Sequence, residues 1–517
     1  MNALKDLWRR NPAACAALLI AAVVLVRIAV VVATPLEIGP DEAQYWRWSQ
    51  TLDFGYYSKP PLIAWVIAAS TAVFGDGEWA IRFFSPVLHG VAAYFLFLLG
   101  QKAFDARIGA WAAAIYLLMP GIWLSSTIMS TDAVLLPAWA AALYFLWRFR
   151  DSPNITNAAL AGAAIGLAML GKYAALYLYA GAGLAALIDK DMRKAVLSPA
   201  GGVLVLASLI VVSPNIYWNF ANNFATVSHT ADNANLGEAG FSPLHVFGFL
   251  GDQAAVFGPV TLLLLLGGFG LIIGRKDKVP ATRELWLLCF ILPPLLITMG
   301  QEIMSRAHAN WAATAYPAAC ILLASWIDRA FGSEASRIKV SPFLKGGLAL
   351  NFIVGAIFTV FWVSPTLADA AHASNSMKGV RGWKDTVAEL NAKAKAIGAT
   401  AILVDDRELW HGMDYYGRNT DIAPVRAWFR GDHARSHAEE AGAIQPGDDV
   451  KMLIASGAGG NRPMIRQDFT TIEELGYLSI PLGPTRERKF KLYVASGYHH
   501  APRTPEFEKT YHNVIED

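Results

Sequence analysis

Cysteine is nearly missing from this chain of 517 residues: it has three, Cys15, Cys289 and Cys320, each inside an apolar segment where a thiol behaves as a small hydrophobe. A disulfide framework and a cysteine metal site are not implied. Charge is scarce too, at 16% of residues, and its formal net of +2 lacks the electrostatic footprint of a nucleic-acid binder. No HExxH spacing occurs, and His229 and His245 are too far apart in sequence to read as a metal pair. The C-terminal region from about 367 shows no phosphate-binding glycine loop either, since Gly457-Ala-Gly-Gly460 has no following lysine and reads as a turn. What is abundant is apolar: 55% hydrophobic, 12% aromatic, mean hydropathy +0.36. That is too apolar for a soluble enzyme of this length and predicts a polytopic α-helical membrane protein.

Lys5, Arg9 and Arg10 precede an apolar run from about 12 to 35, longer than a signal-peptide core and without a convincing cleavage site, so it reads as a retained first span starting in the cytoplasm. Arg27 within it lies near enough to the outer end to snorkel or pair. Ten further apolar stretches follow: 82–101, 108–128, 132–148, 156–171, 173–188, 195–217, 246–273, 284–300, 308–327 and 343–366. That gives about eleven spans. The run 62–74 is short for a span and reads as re-entrant or interfacial. With the first helix leaving the cytoplasm, Lys102, Arg107, Arg148, Arg150, Lys190, Arg193, Lys194, Arg275, Lys276, Lys278, Arg283, Arg329, Arg337 and Lys339 fall on the inner side. The outer loops keep only Arg47, Lys59, Arg82, Lys172 and Arg306. From about 367 to 517 the composition is that of a soluble domain, outside by this count. A helix at 383–397 and strands at 400–404, 450–455 and 489–494 predict a small α/β fold. The expected domains are thus a transmembrane domain, 1–366, and a soluble extracytoplasmic α/β domain, 367–517.

The stretch after the first span, Ile38 to Leu62, concentrates chemistry: Asp41 and Glu42, the aromatics Tyr45, Trp46, Trp48, Tyr56 and Tyr57, and Lys59 before Pro60-Pro61. Gly39-Pro40 opens a helix whose first turn holds both acids, where the dipole favours negative charge. Tyr45, Trp48 and Leu52 share one face, which suits an interfacial helix with that face in lipid. An ordinary capped interfacial helix is the plain alternative. Cations that violate the charge bias need a ligand, and a membrane-surface phosphate fits Lys59, Arg82, Lys172 or Arg306; taken singly, each also fits snorkelling or a structural ion pair. Transfer from a lipid-linked phosphate donor needs a base and cations for the leaving group, and the first outer loop supplies both. His308, Asn310 and Trp311 open the tenth span on the same face and suit sugar or phosphate contacts or helix capping. Asp132 reads first as a helix cap. Asn215, Trp218, Asn219, Asn222 and Asn223 suit either a loop or sugar contacts.

Asp41-Glu42, Tyr57-Ser-Lys-Pro-Pro-Leu62, Gly166-Leu-Ala-Met-Leu-Gly-Lys-Tyr173 and His308-Ala-Asn-Trp311 resemble, in order and spacing, the GT-C glycosyltransferases of the family 39 type, over about residues 1–366. That group includes protein O-mannosyltransferases and the bacterial aminoarabinose transferases of lipid A. The resemblance implies a GT-C-like fold, a polyprenyl-phosphate sugar donor, a lipid or glycan acceptor outside the cytoplasm, and inversion at the anomeric carbon. By position it implies Asp41 as catalytic base and Lys59 as a contact to the donor phosphate, with Arg82, Lys172 or Arg306 assisting and Glu42, Tyr57, His308, Asn310 and Trp311 toward substrate. Ser58 stands where the aminoarabinose transferases carry a glutamate reported to contact a metal, so no cofactor is implied there and a divalent metal is left open. The setting points to a bacterial inner membrane, with lipid A or lipopolysaccharide core as preferred acceptor. Protein or another envelope glycan is the alternative acceptor; a lipid or solute transporter or a scaffold is the alternative class. Against transport, no inverted repeat is evident and the polar clusters lie at one face.

Overall fold

The computed structural model describes residues 10–232, 242–274, 282–305, 307–331, 338–431, 433–445 and 450–511. The candidate Arg306 and the expected inner cations Lys5, Arg9, Arg275, Lys276, Lys278 and Arg337 lie outside these residues. Two compact units emerge. One comprises the described residues up to Ala33 together with Leu52–Val360, the other Thr34–Thr51 with the described residues from Phe361 on.

The first unit is helical. Every expected span is found as helix, but several are interrupted: among the described residues five helices are long and apolar enough to cross a bilayer, namely Pro12–Ala33, Glu78–Ala103, Pro199–Ala221, Thr282–Met304 and Val340–Val363. The stretch expected at 246–273 bends by 117° between His245–Phe257 and the helix from Pro259. Gly258, at φ +96°, and Pro259, which lacks an amide donor, are the physical cause. The stretch at 108–128 divides into Ala106–Leu117 and Pro120–Ser125 for the same proline reason. Two others begin as 3₁₀ turns, Tyr173–Leu176 before Tyr177–Ile188 and Ala309–Ala315 before Tyr316–Ser325. Leu62–Phe74 is a helix of 13 residues, about 20 Å at 1.5 Å per residue and too short to cross. Arg27 is buried, does not snorkel and meets no acid among the described residues; its Nη2 donates to the Leu117 carbonyl at 2.6 Å, and its side chain lies over Trp123.

Close helix approach sets the frame of this unit. Gly162 and Gly166, one turn apart on Ile155–Gly171, face Pro199–Ala221. A β-carbon at Gly162 would stand 2.0 Å from the Leu204 carbonyl oxygen, and one at Gly166 2.8 Å from that of Ser208. Small residues at this spacing let backbones touch where lipid offers no hydrophobic drive.

The second unit is α/β. Strands β1 (Ala401–Val404), β2 (Val425–Ala427), β3 (Met452–Ser456), β4 (Phe469–Gly483) and β5 (Arg486–Tyr498) lie in the order β2-β1-β3-β5-β4. β2, β1 and β3 are parallel, and β5 and β4 complete the sheet antiparallel. β1 and β3 are buried along their whole length because apolar clusters cover both sheet faces. The expected helix appears as Trp383–Ala396. Residues 34–51 are built into this unit: the Glu37 carboxylate accepts from the Trp383 and Lys384 amides at 2.5 and 3.1 Å, and the Ile38 amide donates to the Tyr416 hydroxyl at 2.7 Å.

Candidate active site

Within the first unit, Lys59 and Lys172 line one cavity of about 360 Å³, with Ser58, Tyr173, Tyr177, Gln301 and Trp311 in its wall. Lys172 follows the last residue of Ile155–Gly171, where the helix dipole favours a cation. Its Nζ lies 2.9 Å from Asp132 Oδ1, and the other Asp132 oxygen accepts from Asn310 Nδ2. The Asp132 side chain is 8% exposed and that of Lys172 19%. A pair this buried costs about 3–5 kcal/mol to break from one side, so it fixes where the lysine head sits. Asp132 is in the first turn of Thr131–Asp151 but makes no cap hydrogen bond; the cap expected from sequence is replaced by an ion pair with a neighbouring helix end. On its other side Asp132 lines a second cavity, about 350 Å³ and mostly apolar, with His308 and Asn310.

The loop carrying Lys59 is held from several directions. Its own chain closes through Tyr56 N donating to Lys59 O at 3.1 Å. Asn215 Nδ2 donates to Phe54 O, Trp218 Nε1 to Asp53 Oδ2 and Thr226 Oγ1 to Tyr56 O, each at 2.7 Å. Tyr173, next to Lys172, donates from its hydroxyl to Asn215 Oδ1 at 2.7 Å and accepts from Asn219 Nδ2 at 2.9 Å. Asn215 and Asn219, two of the asparagines that suited sugar contacts, therefore bind the loop and its neighbour, while Asn222 donates to Trp218 O of the helix before it. Trp218 packs where a β-carbon on Gly55 would be, 2.4 Å away, so that position needs glycine. Burial pushes the Tyr56 hydroxyl up to about 12, so it stays neutral, and its oxygen accepts from the Asp53 amide at 3.0 Å.

Asp41 is in the second unit, on the helix Pro40–Ser49. Its Oδ1 accepts from Arg407 Nη1 at 3.1 Å, and the same nitrogen donates to Gln44 Oε1 at 3.0 Å. The Asp41 side chain remains 63% exposed. Glu42 is buried and caps its own helix, accepting from the Gly39 amide at 2.9 Å. Tyr45 and Trp48 do not face lipid as expected; they are buried in protein, with the Trp48 ring 5.7 Å from that of His437. An aromatic stripe reads the same from sequence whether lipid or another helix covers it.

The structure thus brings Lys59, Lys172 and Trp311 to one cavity, and His308 and Asn310 to its neighbour. Tyr57 stacks at a tilt on His229, centroids 5.4 Å apart. Arg82 is fully buried at the end of Glu78–Arg82 and is not among the residues lining the cavity of Lys59. Two side chains were underrated or missed in the sequence: Asp132, and Arg407, a cation in the first turn of its helix, where the dipole disfavours one. That misplaced charge was the available signal.

Residues 58–218 match the family model described as dolichyl-phosphate-mannose-protein mannosyltransferase. The lipid A galacturonosyltransferase RgtD of Rhizobium johnstonii is 34% identical over 377 residues, covering 72% of this chain and 76% of that protein. The undecaprenyl phosphate-alpha-4-amino-4-deoxy-L-arabinose arabinosyl transferase of Aeromonas hydrophila is 24% identical, covering 64% of this chain and 63% of that one. Among solved structures, ArnT from Cupriavidus metallidurans bound to undecaprenyl phosphate superimposes with a TM-score of 0.61 at 15% identity, covering 95% of this chain and 100% of that one.

Proposed function

Because this chain belongs to the GT-C superfamily of membrane glycosyltransferases, it is a glycosyltransferase, and we propose that it moves a uronic acid from a polyprenyl-phosphate donor to lipid A or lipopolysaccharide core. The observation that carries the reading is the cavity shared by Lys59 and Lys172, with Lys172 held by a buried carboxylate. Two cations in one wall suit a donor with two anionic groups, the phosphate and the sugar carboxylate. Likeness to RgtD supports both the uronic acid and lipid A.

In the proposed step an acceptor hydroxyl oxygen attacks the anomeric carbon, its proton passes to Asp41, and the bond from that carbon to the phosphate oxygen breaks with inversion. The departing polyprenyl phosphate gains negative charge, which Lys59 and Lys172 stabilise. Trp311 offers a face for the sugar ring, while Tyr57, His308 and Asn310 flank the two cavities' walls and loop. The setting is a bacterial inner membrane, with the N-terminus cytoplasmic and residues 367–517 periplasmic, as the charge bias of the loops supports.

Mass spectrometry of lipid A and core oligosaccharide from cells with the wild-type chain, Asp41→Asn or no copy tests the reaction. A uronic-acid increment present with wild type alone is expected. In purified enzyme Asp41→Asn should fold, bind donor and lose about 10²–10⁴-fold in turnover. Retained turnover would remove Asp41 as base, and an unchanged envelope would remove the acceptor.

A further inference from the structure

The proposed base belongs to the α/β unit, and the side chain that touches it comes from a helix 366 positions later in the same unit. Asp41 is anchored asymmetrically. Oδ1 accepts from Arg407, while Oδ2 has no hydrogen-bond partner among the described residues. A general base needs this arrangement: one oxygen fixed so that the carboxylate plane is set, the other open to receive a proton.

Arg407 is itself placed with care. It begins the helix Arg407–Gly417, whose N-cap Asp406 accepts from the Glu408 amide at 2.9 Å. That helix lies directly on Pro40–Ser49. Trp46 meets Tyr415 edge to face at 5.0 Å, Arg47 lies 3.8 Å from Asp414, and Arg418 lies over both Trp46 and Tyr415. Gln44 takes a second bond from the same guanidinium nitrogen that holds Asp41, which limits its swing. A cation in the first turn of a helix opposes the dipole, and packing of the two helices is already secured by the aromatic contacts. The ion pair with Asp41 accounts for its presence.

We infer that Arg407 is a positioning residue for the base, so that the α/β unit sets the orientation of Asp41 within its own fold. This rests on the assignment of Asp41 as base. On this reading Arg407 acts through Asp41. Losing it should lower turnover and leave donor binding alone.

The test uses full-length enzyme in detergent, with polyprenyl-phosphate-linked galacturonic acid as donor and lipid A as acceptor. Arg407→Met, Arg407→Lys, Asp41→Asn and the Arg407→Met/Asp41→Asn double variant are compared for kcat, donor KM, undecaprenyl phosphate affinity and melting temperature. Arg407→Met is expected to lose about 10- to 100-fold in kcat with donor KM unchanged, the scale of a misplaced catalytic group. Arg407→Lys should recover part of the loss. The double variant should be no slower than Asp41→Asn, because once the base is gone its anchor has nothing to orient. Wild-type kcat in Arg407→Met, or a further loss in the double variant, overturns the inference while leaving Asp41 as base. Full turnover in Asp41→Asn overturns the base assignment, and this inference with it.

Discussion

Asp132 decides where a cation points. Its pairing with Lys172 at 2.9 Å, braced by Asn310, makes the lysine head a fixed feature of the cavity wall, unlike a mobile surface charge. Asp132→Asn leaves the shape but removes the charge that holds Lys172. Donor KM should rise about tenfold or more, and isothermal titration with undecaprenyl phosphate should register the weaker binding. Lys59→Met should act differently, lowering kcat as well as affinity, because in the proposed step it faces charge that grows as the phosphate departs; a pure KM effect would argue for ground-state binding alone. Lys59 and Lys172 were legible in the sequence as cations on the wrong side of the charge bias. Asp132 was not, because an acid just after Ser130-Thr131 looks like a cap, and only the neighbouring helix end reveals its partner.

Helices and strands were more readable than their partners. The strands β1 and β3 announce themselves as short apolar runs, whereas β4 went unnoticed because it is an edge strand, largely exposed on both faces and interrupted by Gly476. The packing of Pro40–Ser49 was misjudged for the reason given by Trp48: its neighbour His437 comes from 400 residues away in the chain, roughly, and no local pattern can show that. Beside it, His411 and His437 stack with ring centroids 5.3 Å apart and planes 4° from parallel. Both ring nitrogens of His411 are buried without a hydrogen-bond partner among the described residues. Burial, then His437, Arg407 and Arg47, push His411 well below its usual range; burial and then Arg47 push His437 down to about 4. Asp414, on the same helix as His411, lies 3.8 Å from Arg47. A depressed histidine takes up its proton on unfolding, so stability is whole above the unfolded value near 6.5 and falls as the pH drops from there toward 4. The loss should approach about 1.4 kcal/mol per pH unit for each histidine. Melting of the full-length enzyme, followed by tryptophan fluorescence, should show this slope, and His411→Leu should flatten it. On the first unit, Gly162→Val should force Pro199–Ala221 away from Ile155–Gly171 and so loosen the asparagines that hold the Lys59 loop. A lower melting temperature and a higher donor KM together would register that; wild-type values in both would refute it.

At the scale of the whole molecule, hydropathy divides the chain once, near residue 366, but the fold assigns 34–51 to the later part of the chain. A division by composition follows where lipid is expected, and a fold follows where side chains find partners. Removing residues 361–517 should therefore do more than delete an appended domain. The truncated chain should still bind undecaprenyl phosphate, because Lys59, Lys172, Asp132, Asn310 and Trp311 all belong to the first unit. It should have no turnover, and trypsin should cut within 34–51 far faster than in the full chain. Equal protection of that segment would show that it stands without its partner.

The pairing of Asp41 with Arg407 spans 366 positions of sequence. At a synthesis rate of about 5–20 residues per second, roughly 20 to 70 s separate the two residues as the chain emerges. During that interval Lys59 and Lys172, the lysines proposed for the donor, are already made, while the Asp41 carboxylate has no anchor. On the proposed roles, the residues that line the cavity of Lys59 and Lys172 are all synthesised before Arg407, so donor binding precedes turnover as the chain is made.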